Sequence, residues 1–299
     1  MSQFFKRFAP LFLFYTLFIA GCSQIQPTPL LGIPVQATEK PTQTPTPIPT
    51  PKQTVLPPTA TMEAVCIETT GTLEMDVINT PLLDKPMRYE VYLPPCYNFD
   101  ESRHYPVLYL LHGQNSTEEQ WIRIGATGAA NRIINSKETA PFIIVFPFDY
   151  SYKQPSEYKF EEVFTDLLLP RIDRTYRTQP NSAQRAIGGL SRGGAWALHI
   201  GALHPDLFGA IGGHSPAIFY ADEKLISSRL LEISASQMPR IWLDIGDNDS
   251  EYGVITPFEL FLTKNEIPHE WHEYIGWHDE KYWSAHVEEY LIWYAQNWK

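Results

Sequence analysis

Short apolar segments alternate with helical patterns along this chain, and this alternation constrains the fold more than any other sequence feature. A strand that is buried on both faces is apolar at every position, whereas a half-buried strand alternates apolar and polar residues. Segments of the first kind lie at 107–111 and 142–146, and further strand-like segments lie at 185–190, 208–212 and 240–245. Helical patterns cover 160–176, 193–203, 256–265 and 282–298. We therefore expect the α/β class, with a mostly parallel central sheet and helices on both faces. The alternating segment 87–93 predicts an antiparallel strand at one edge.

The N-terminus has a different character. Lys6 and Arg7 precede an uncharged run, 8–20, that is too short for a comfortable membrane span of about 20 residues. A basic start, a short apolar run and small residues after it are typical of a secretory signal. Ile19-Ala20-Gly21-Cys22 resembles the lipobox of bacterial lipoproteins, although Leu is usual where Ile19 stands. The resemblance implies a signal peptide over 1–21, lipidation of Cys22 and an exported protein anchored to the cell surface or a periplasm-facing membrane. An ordinary signal peptide with an incidental Cys22 is the alternative.

The segment that follows the signal is rich in Pro and Thr. Such composition favours an extended spacer that joins no core, so we assign 22–61 to a linker and 62–299 to one folded domain. The chain has three cysteines, and lipidation of Cys22 leaves Cys66 and Cys96 in an oxidising compartment. We predict a disulfide between them, with two free buried thiols as the alternative.

Composition excludes some functions. The chain has 34 acidic and 23 basic residues, a net charge of −11, and no basic stripe, so nucleic acid is not an expected partner. No metal-ligand spacing such as H-E-x-x-H is present, and we expect neither a metal nor an organic cofactor.

The strongest chemical motif is Gly189-Leu190-Ser191-Arg192-Gly193, which has the pattern G-x-S-x-G between a predicted strand and a predicted helix. In a nucleophile elbow, a sharp strand-to-helix turn exposes a strained serine at the carboxyl end of the sheet. Glycines flank the serine because side chains there would clash within the turn. Ser191 is therefore the candidate nucleophile, and a glycine-rich turn without chemistry is the alternative.

A serine nucleophile needs a base that is oriented by a third group. In this arrangement the chain order is Ser, acid, His. The strand 240–245 is followed by Asp247 and Asp249, and both are candidate acids at the same edge of the sheet. Asp244 lies within the strand and is expected to face a helix layer. The next strand is followed by His278, the candidate base.

An oxyanion hole requires two backbone amides. One should be the N–H of Arg192, directly after the nucleophile. The other should come from the loop after the strand 107–111, where Gln114 follows His112 and Gly113.

These motifs resemble the Putative esterase branch of the α/β-hydrolases, which includes feruloyl esterases, S-formylglutathione hydrolases, enterobactin esterases and mycolyltransferases. The matching residues include 110–113, 189–194, 246–250 and 276–279, so the resemblance covers essentially the whole domain. It implies the α/β-hydrolase fold and ester hydrolysis through an acyl-enzyme, with Asp249 rather than Asp247 as the acid. Arg192 departs from the Met that is usual in the family, and only its backbone is needed for the oxyanion hole.

The substrate is less constrained than the chemistry. We expect a small-molecule ester or a feruloyl or acetyl ester linked to polysaccharide. The candidate substrate-binding residues are His112, Tyr150, His214, Trp277 and Trp283. Two other functions use a similar site: acyl transfer of the mycolyltransferase type, and a catalytically silent binding module at the cell surface.

Overall fold

The computed structural model describes residues 65–298, in which eight strands form one sheet. The strands are β1 (Thr72–Ile78), β2 (Met87–Leu93), β3 (Val107–Leu111), β4 (Ile143–Pro147), β5 (Arg185–Leu190), β6 (Ala210–His214), β7 (Arg240–Gly246) and β8 (Glu270–Tyr274). Their order across the sheet is β1-β2-β4-β3-β5-β6-β7-β8. The pairs β1–β2 and β2–β4 are antiparallel, and all other neighbours are parallel. The predicted α/β class and its antiparallel edge are confirmed.

Eight α-helices accompany the sheet within this part of the chain. They are α1 (Gln120–Arg123), α2 (Ala126–Asn135), α3 (Phe160–Val163), α4 (Leu169–Thr175), α5 (Arg192–Leu203), α6 (Glu223–Glu232), α7 (Tyr252–Lys264) and α8 (Glu280–Ala295). The sequence predicted one helix over 160–176, but a π-helical turn, Phe164–Leu168, separates α3 from α4. Pro170 lies at the start of α4 and has no N–H to donate to the preceding turn, which favours such a widening.

Both faces of the central sheet are buried, which explains its uninterrupted apolar strands. Along β3, Tyr109 packs in the core that includes side chains of α3, α5 and α7. Its neighbours Leu108 and Leu110 point to the opposite face and join the core formed with α1, α2 and α8. Successive side chains of a strand point to opposite faces, so helices on both sides favour apolar residues at successive positions.

β6 begins and ends two residues later than its apolar pattern predicted, at Ala210–His214 instead of 208–212. The sequence pattern stopped before His214 because a histidine is rarely a core residue. In the structure the imidazole is completely buried, and its Nδ1 lies 2.6 Å from Asp244 Oδ1 on β7. The strand therefore continues because a buried carboxylate satisfies the histidine.

A disulfide joins Cys66, before β1, to Cys96, after β2. The predicted signal peptide, the linker and Cys22 lie outside the described residues. Among residues 65–298, no helix combines the length and apolar character needed to cross a membrane.

Candidate active site

The turn between β5 and α5 presents Ser191. Its backbone has φ 52° and ψ −117°, in a region that costs energy for a residue with a side chain. The flanking residues must be glycines because backbone atoms lie where their Cβ atoms would be. A Cβ on Gly189 would lie 2.2 Å from the Gly193 carbonyl oxygen, and a Cβ on Gly193 would lie 2.2 Å from the Leu111 carbonyl oxygen. The elbow is therefore packed against its own first helical turn and against the end of β3.

Ser191, His278 and Asp249 form one hydrogen-bonded row. His278 Nε2 lies 2.9 Å from Ser191 Oγ, and His278 Nδ1 lies 2.8 Å from Asp249 Oδ1. The imidazole is 23% exposed, whereas the Asp249 side chain is completely buried. This geometry assigns the proton of His278 to Nδ1, which donates to the carboxylate and leaves Nε2 free to accept from the serine.

The structure distinguishes the two candidate acids. Asp249 Oδ1 also accepts from the Glu251 N–H, at 2.8 Å, which fixes the carboxylate toward His278. Asp247 instead turns away: its Oδ1 accepts from the Gly276 N–H at 2.9 Å. Asp247 therefore joins the loop after β7 to the loop after β8, and it contacts neither Ser191 nor His278 by a hydrogen bond.

The loop after β3 lies beside the nucleophile. A Cβ built on Gly113 would lie 3.5 Å from Ser191 Cβ. The Gly113 N–H is already occupied, because it donates to Gln120 Oε1 at 2.8 Å. The N–H of Gln114 has no hydrogen-bond partner among residues 65–298. The N–H of Arg192 is the first of α5, and the first amides of a helix have no partner within it. Both predicted oxyanion donors are thus available.

Comparisons with known proteins identify the family of the chain and support its fold. The model of the Putative esterase family matches residues 80–294, which is most of the chain. The chain belongs to the Putative esterase family. A solved ferulic acid esterase is 25% identical, with a TM-score of 0.68, over 77% of this chain and all of that one. The ferulic acid esterase of Anaeromyces mucronatus, solved with ferulic acid, is 23% identical with a TM-score of 0.64, covers 80% of this chain and 93% of that one, and shares the fold.

One curated relative is larger than this esterase. The endo-1,4-beta-xylanase/feruloyl esterase of Xylanibacter ruminicola is 32% identical over 144 residues, which is 44% of this chain. The match spans only 20% of that relative. The family and the fold, together with the serine–histidine–aspartate row, make the described domain a carboxylic ester hydrolase of the serine type.

The side chain of Arg192, where the family usually has Met, does not enter the substrate side of the esterase site. It is 7% exposed and forms a buried ion pair with Asp149, with Nε 2.9 Å from Oδ2. Its Nη2 also donates to the Lys153 carbonyl oxygen at 2.8 Å. The guanidinium therefore fixes the loop after β4 to the start of α5.

Two predicted substrate-binding residues, His112 and His214, are buried within the protein. His214 is completely buried beneath the site, where its imidazole lies between Asp244 and the Tyr294 hydroxyl. His112 is 5% exposed, and both its ring nitrogens are used within the protein, on the Gly113 carbonyl oxygen and the Asp149 N–H. His112 and His214 lie at strand ends, which suggested access to substrate. In the structure they contact Asp149 and Asp244, which belong to distant segments of the chain.

Trp283 is buried as well. It is 5% exposed, and its Nε1 donates to Ser215 Oγ at 3.0 Å. Its ring meets the ring of His278 edge to face, with centroids 5.1 Å apart. Trp283 therefore supports the imidazole from behind. Trp277 is 63% exposed and directly precedes His278, so it remains a candidate contact at the rim of the site.

Tyr150 lies where a substrate contact is possible. It is half-buried and lines a cavity of about 280 Å³ together with Gln114, Asn115 and Tyr152. The Tyr152 hydroxyl donates to Asn115 Oδ1 and closes one side of this cavity. Gln114, whose N–H is the predicted oxyanion donor, thus borders a cavity lined by both aromatic and polar side chains.

Sequence reasoning missed Asp149 and Gln120, which hold the oxyanion loop. Asp149 follows β4 at the edge of the sheet where Ser191 also lies, so its position after a buried strand was an available signal. Gln120 lies at the start of a four-residue helix, and nothing in its local pattern indicates the hydrogen bond to Gly113.

Proposed function

We propose that this protein is an exported, lipid-anchored esterase that removes feruloyl or related acyl groups from plant polysaccharide through an acyl-enzyme. The observation on which the reaction rests is the row of Ser191, His278 and Asp249 beside two available backbone amides.

In the first half of the reaction, Ser191 Oγ attacks the ester carbonyl carbon and His278 Nε2 takes its proton. The buried carboxylate of Asp249 stabilises the imidazolium that forms. The carbonyl oxygen becomes an oxyanion and accepts hydrogen bonds from the N–H groups of Arg192 and Gln114. When the carbon–oxygen bond to the alcohol breaks, His278 returns the proton to the departing alkoxide, and the acyl group stays on Ser191.

In the second half, water replaces the alcohol. His278 Nε2 takes a proton from water as its oxygen attacks the acyl carbon, and the same amides bind the new oxyanion. Collapse of this intermediate breaks the bond to Ser191 Oγ, which recovers a proton from His278. The carboxylic acid leaves, and the enzyme returns to its starting state with atoms and charge balanced.

Two observations support an aromatic acyl group on a polysaccharide. The cavity beside Gln114 has the aromatic side chains of Phe148, Tyr150 and Tyr152 among mostly polar lining residues, and such rings suit a phenolic ring or a sugar face. The relative from Xylanibacter ruminicola combines a xylanase with a feruloyl esterase in its name. Attachment to a membrane through Cys22, with 22–61 as a tether, would present the domain to polymers outside the cell.

The Ser191→Ala variant tests the reaction. We expect wild type to hydrolyse p-nitrophenyl acetate and methyl ferulate, and the variant to lose at least a thousandfold in kcat/KM with an unchanged thermal midpoint. Ser228→Ala, at an exposed serine of α6, is the matched control and should keep full activity. A fluorophosphonate probe should label wild type and Ser228→Ala only. Hydrolysis by Ser191→Ala at the wild-type rate would contradict the assignment.

A panel of substrates separates the remaining possibilities. Methyl ferulate, feruloylated arabinoxylan fragments, acetylated xylan and S-formylglutathione, compared by kcat/KM, should rank the feruloyl esters first. Product analysis with added sugar should show free acid as the main product, whereas transfer to the sugar would indicate an acyltransferase. An unreactive protein would be a binding module.

Export and anchoring require a separate test. In a bacterial host, an alkyne fatty acid should label wild type and the protein should sediment with membranes. Cys22→Ala should lose both properties, and Ser23→Ala, at the adjacent residue, should keep them. Equal labelling of all three would contradict lipidation of Cys22.

A further inference from the structure

Gly113 in the oxyanion loop is held at both its N–H and its carbonyl oxygen by buried side chains. Gln120 Oε1 accepts from the Gly113 N–H at 2.8 Å, and His112 Nδ1 lies 2.7 Å from the Gly113 carbonyl oxygen. Each of these two side chains belongs to a residue that is 5% exposed. The next amide along the chain, the N–H of Gln114, is the available oxyanion donor.

The direction of that donor follows from the Gly113 carbonyl. A peptide unit is planar, and in the trans form its C=O and N–H point in opposite directions. The described residues contain no cis peptide bond, so the unit between Gly113 and Gln114 is trans. A hydrogen bond that fixes the Gly113 carbonyl therefore also fixes the direction of the Gln114 N–H.

The hydrogen bonds define which nitrogen of His112 has the proton. The Asp149 N–H donates to Nε2 at 3.0 Å, so Nε2 must be an acceptor. The proton is therefore on Nδ1, which donates to the Gly113 carbonyl oxygen. Burial lowers the pKa of His112 below its usual value, which favours this neutral form.

Asp149 is itself held by the helix that follows the nucleophile. Its Oδ2 accepts from Arg192 Nε at 2.9 Å and from Trp196 Nε1 at 2.8 Å, and its Oδ1 accepts from the Ser151 N–H at 2.9 Å. A continuous set of contacts thus runs from α5 through Asp149 and His112 to the oxyanion loop.

We propose that His112 is a positioning residue whose Nδ1–H aims the Gln114 N–H at the oxyanion, and that the Arg192–Asp149 ion pair holds His112 in place. Arg192 then has two functions: its backbone is one oxyanion donor, and its side chain orients the other. This inference rests on the proposed esterase reaction and identifies a determinant of its rate.

Two substitutions at His112 separate its two hydrogen bonds. In His112→Asn, the side-chain amide nitrogen can occupy the position of Nδ1 and donate to the Gly113 carbonyl oxygen. In His112→Gln, the side-chain oxygen can occupy the position of Nε2 and accept from the Asp149 N–H, but the Gly113 contact is lost. Loss of a whole oxyanion donor typically lowers kcat by about 10²–10³-fold. We expect His112→Gln to lose about 10–100-fold in kcat with KM within about threefold of wild type.

His112→Asn should retain at least about tenfold more kcat than His112→Gln, because it keeps the donor to Gly113. A trifluoromethyl ketone that forms a tetrahedral adduct with Ser191 should lose affinity in His112→Gln in parallel with kcat/KM. Binding of coniferyl alcohol, a neutral analogue of the feruloyl group that has no carbonyl or carboxylate oxygen, should stay within about threefold of wild type. Equal kcat in the two variants, or weaker binding of both ligands to the same degree, would overturn the inference.

A double variant keeps the inference testable if either His112 variant fails to fold. Arg192→Met with Asp149→Asn removes both charges together, retains the Arg192 backbone donor and leaves an amide oxygen for Trp196. It should fold, with kcat lowered about tenfold and KM nearly unchanged. Wild-type kcat in this folded variant would overturn the role of the ion pair. Failure of the esterase function itself is distinct, because wild type would then neither hydrolyse an ester nor react with a fluorophosphonate.

Discussion

A buried charge cluster at the C-terminal part of α5 makes the stability of the domain depend on pH in a predictable way. His199 lies between two carboxylates, with Nδ1 2.7 Å from Asp222 Oδ2 and Nε2 3.0 Å from Glu161 Oε2. The other Glu161 oxygen lies 2.7 Å from His204 Nε2. The His199 side chain is only 3% exposed.

Burial alone would lower the pKa of His199, but the hydrogen bonds to Asp222 and Glu161 outweigh it and raise the pKa from 6.5 to about 9. Below about pH 6.5 the folded and unfolded states both bind this proton, so the stabilisation is complete. Between pH 6.5 and 9 only the folded state retains it, and stability is lost as the pH rises. At 1.36 kcal/mol per pKa unit, the loss is about 3 kcal/mol.

Glu161 sets the acidic limit of the pH range in which the cluster stabilises the domain. Hydrogen bonds to His199 and His204 lower the pKa of this carboxyl from 4.5 to about 2. Its contribution is complete above about pH 4.5 and is lost as the pH falls through 2. The cluster therefore stabilises the domain most between about pH 4.5 and 6.5.

Urea unfolding followed by tryptophan fluorescence tests this reasoning between pH 5.5 and 9.5. We expect wild type to lose about 3 kcal/mol more over this interval than His199→Gln, in which the titrating group is absent. A loss of this size corresponds to a decrease of about 6–12 °C in Tm for a domain of this size. His104→Gln, at an exposed histidine, is the control and should follow wild type. Parallel curves for wild type and His199→Gln would refute the assignment of the pH dependence to this cluster.

Two further predictions concern the catalytic turn and the acid. Gly193→Ala should abolish activity and lower Tm, because the added Cβ would overlap the Leu111 carbonyl oxygen; an active, equally stable variant would show that the elbow can relax. Asp249→Asn should lower kcat by about 10⁴-fold while preserving the fold, as the amide no longer stabilises the imidazolium. Asp247→Asn is its matched control and should keep nearly wild-type kcat, since Asp247 Oδ1 accepts from the Gly276 N–H and has no hydrogen bond to His278; a reversed ranking of the two variants would exchange their roles.

The sequence by itself was sufficient where the determinants are local. The apolar runs predicted a mostly parallel sheet because strands buried on both faces are apolar at nearly all positions. Ser191 could be located because the elbow needs glycines at fixed spacing between a strand and a helix, and these lie within five residues. Asp249 and His278 follow from their places after consecutive strands at one edge of the sheet, although the choice of Asp249 over Asp247 needed the family pattern.

Only the tertiary structure shows what each polar residue contacts at the carboxyl ends of the parallel strands. His112, His214 and Trp283 occupy promising positions in the sequence, but they are buried by partners 37, 30 and 68 residues away, at Asp149, Asp244 and Ser215. Burial and hydrogen bonding depend on which distant segments of the chain come into contact. No local sequence pattern specifies those contacts. The sequence was sufficient to predict the two oxyanion amides. The side chains that orient the oxyanion loop could be identified only from the tertiary structure, because they come from distant segments.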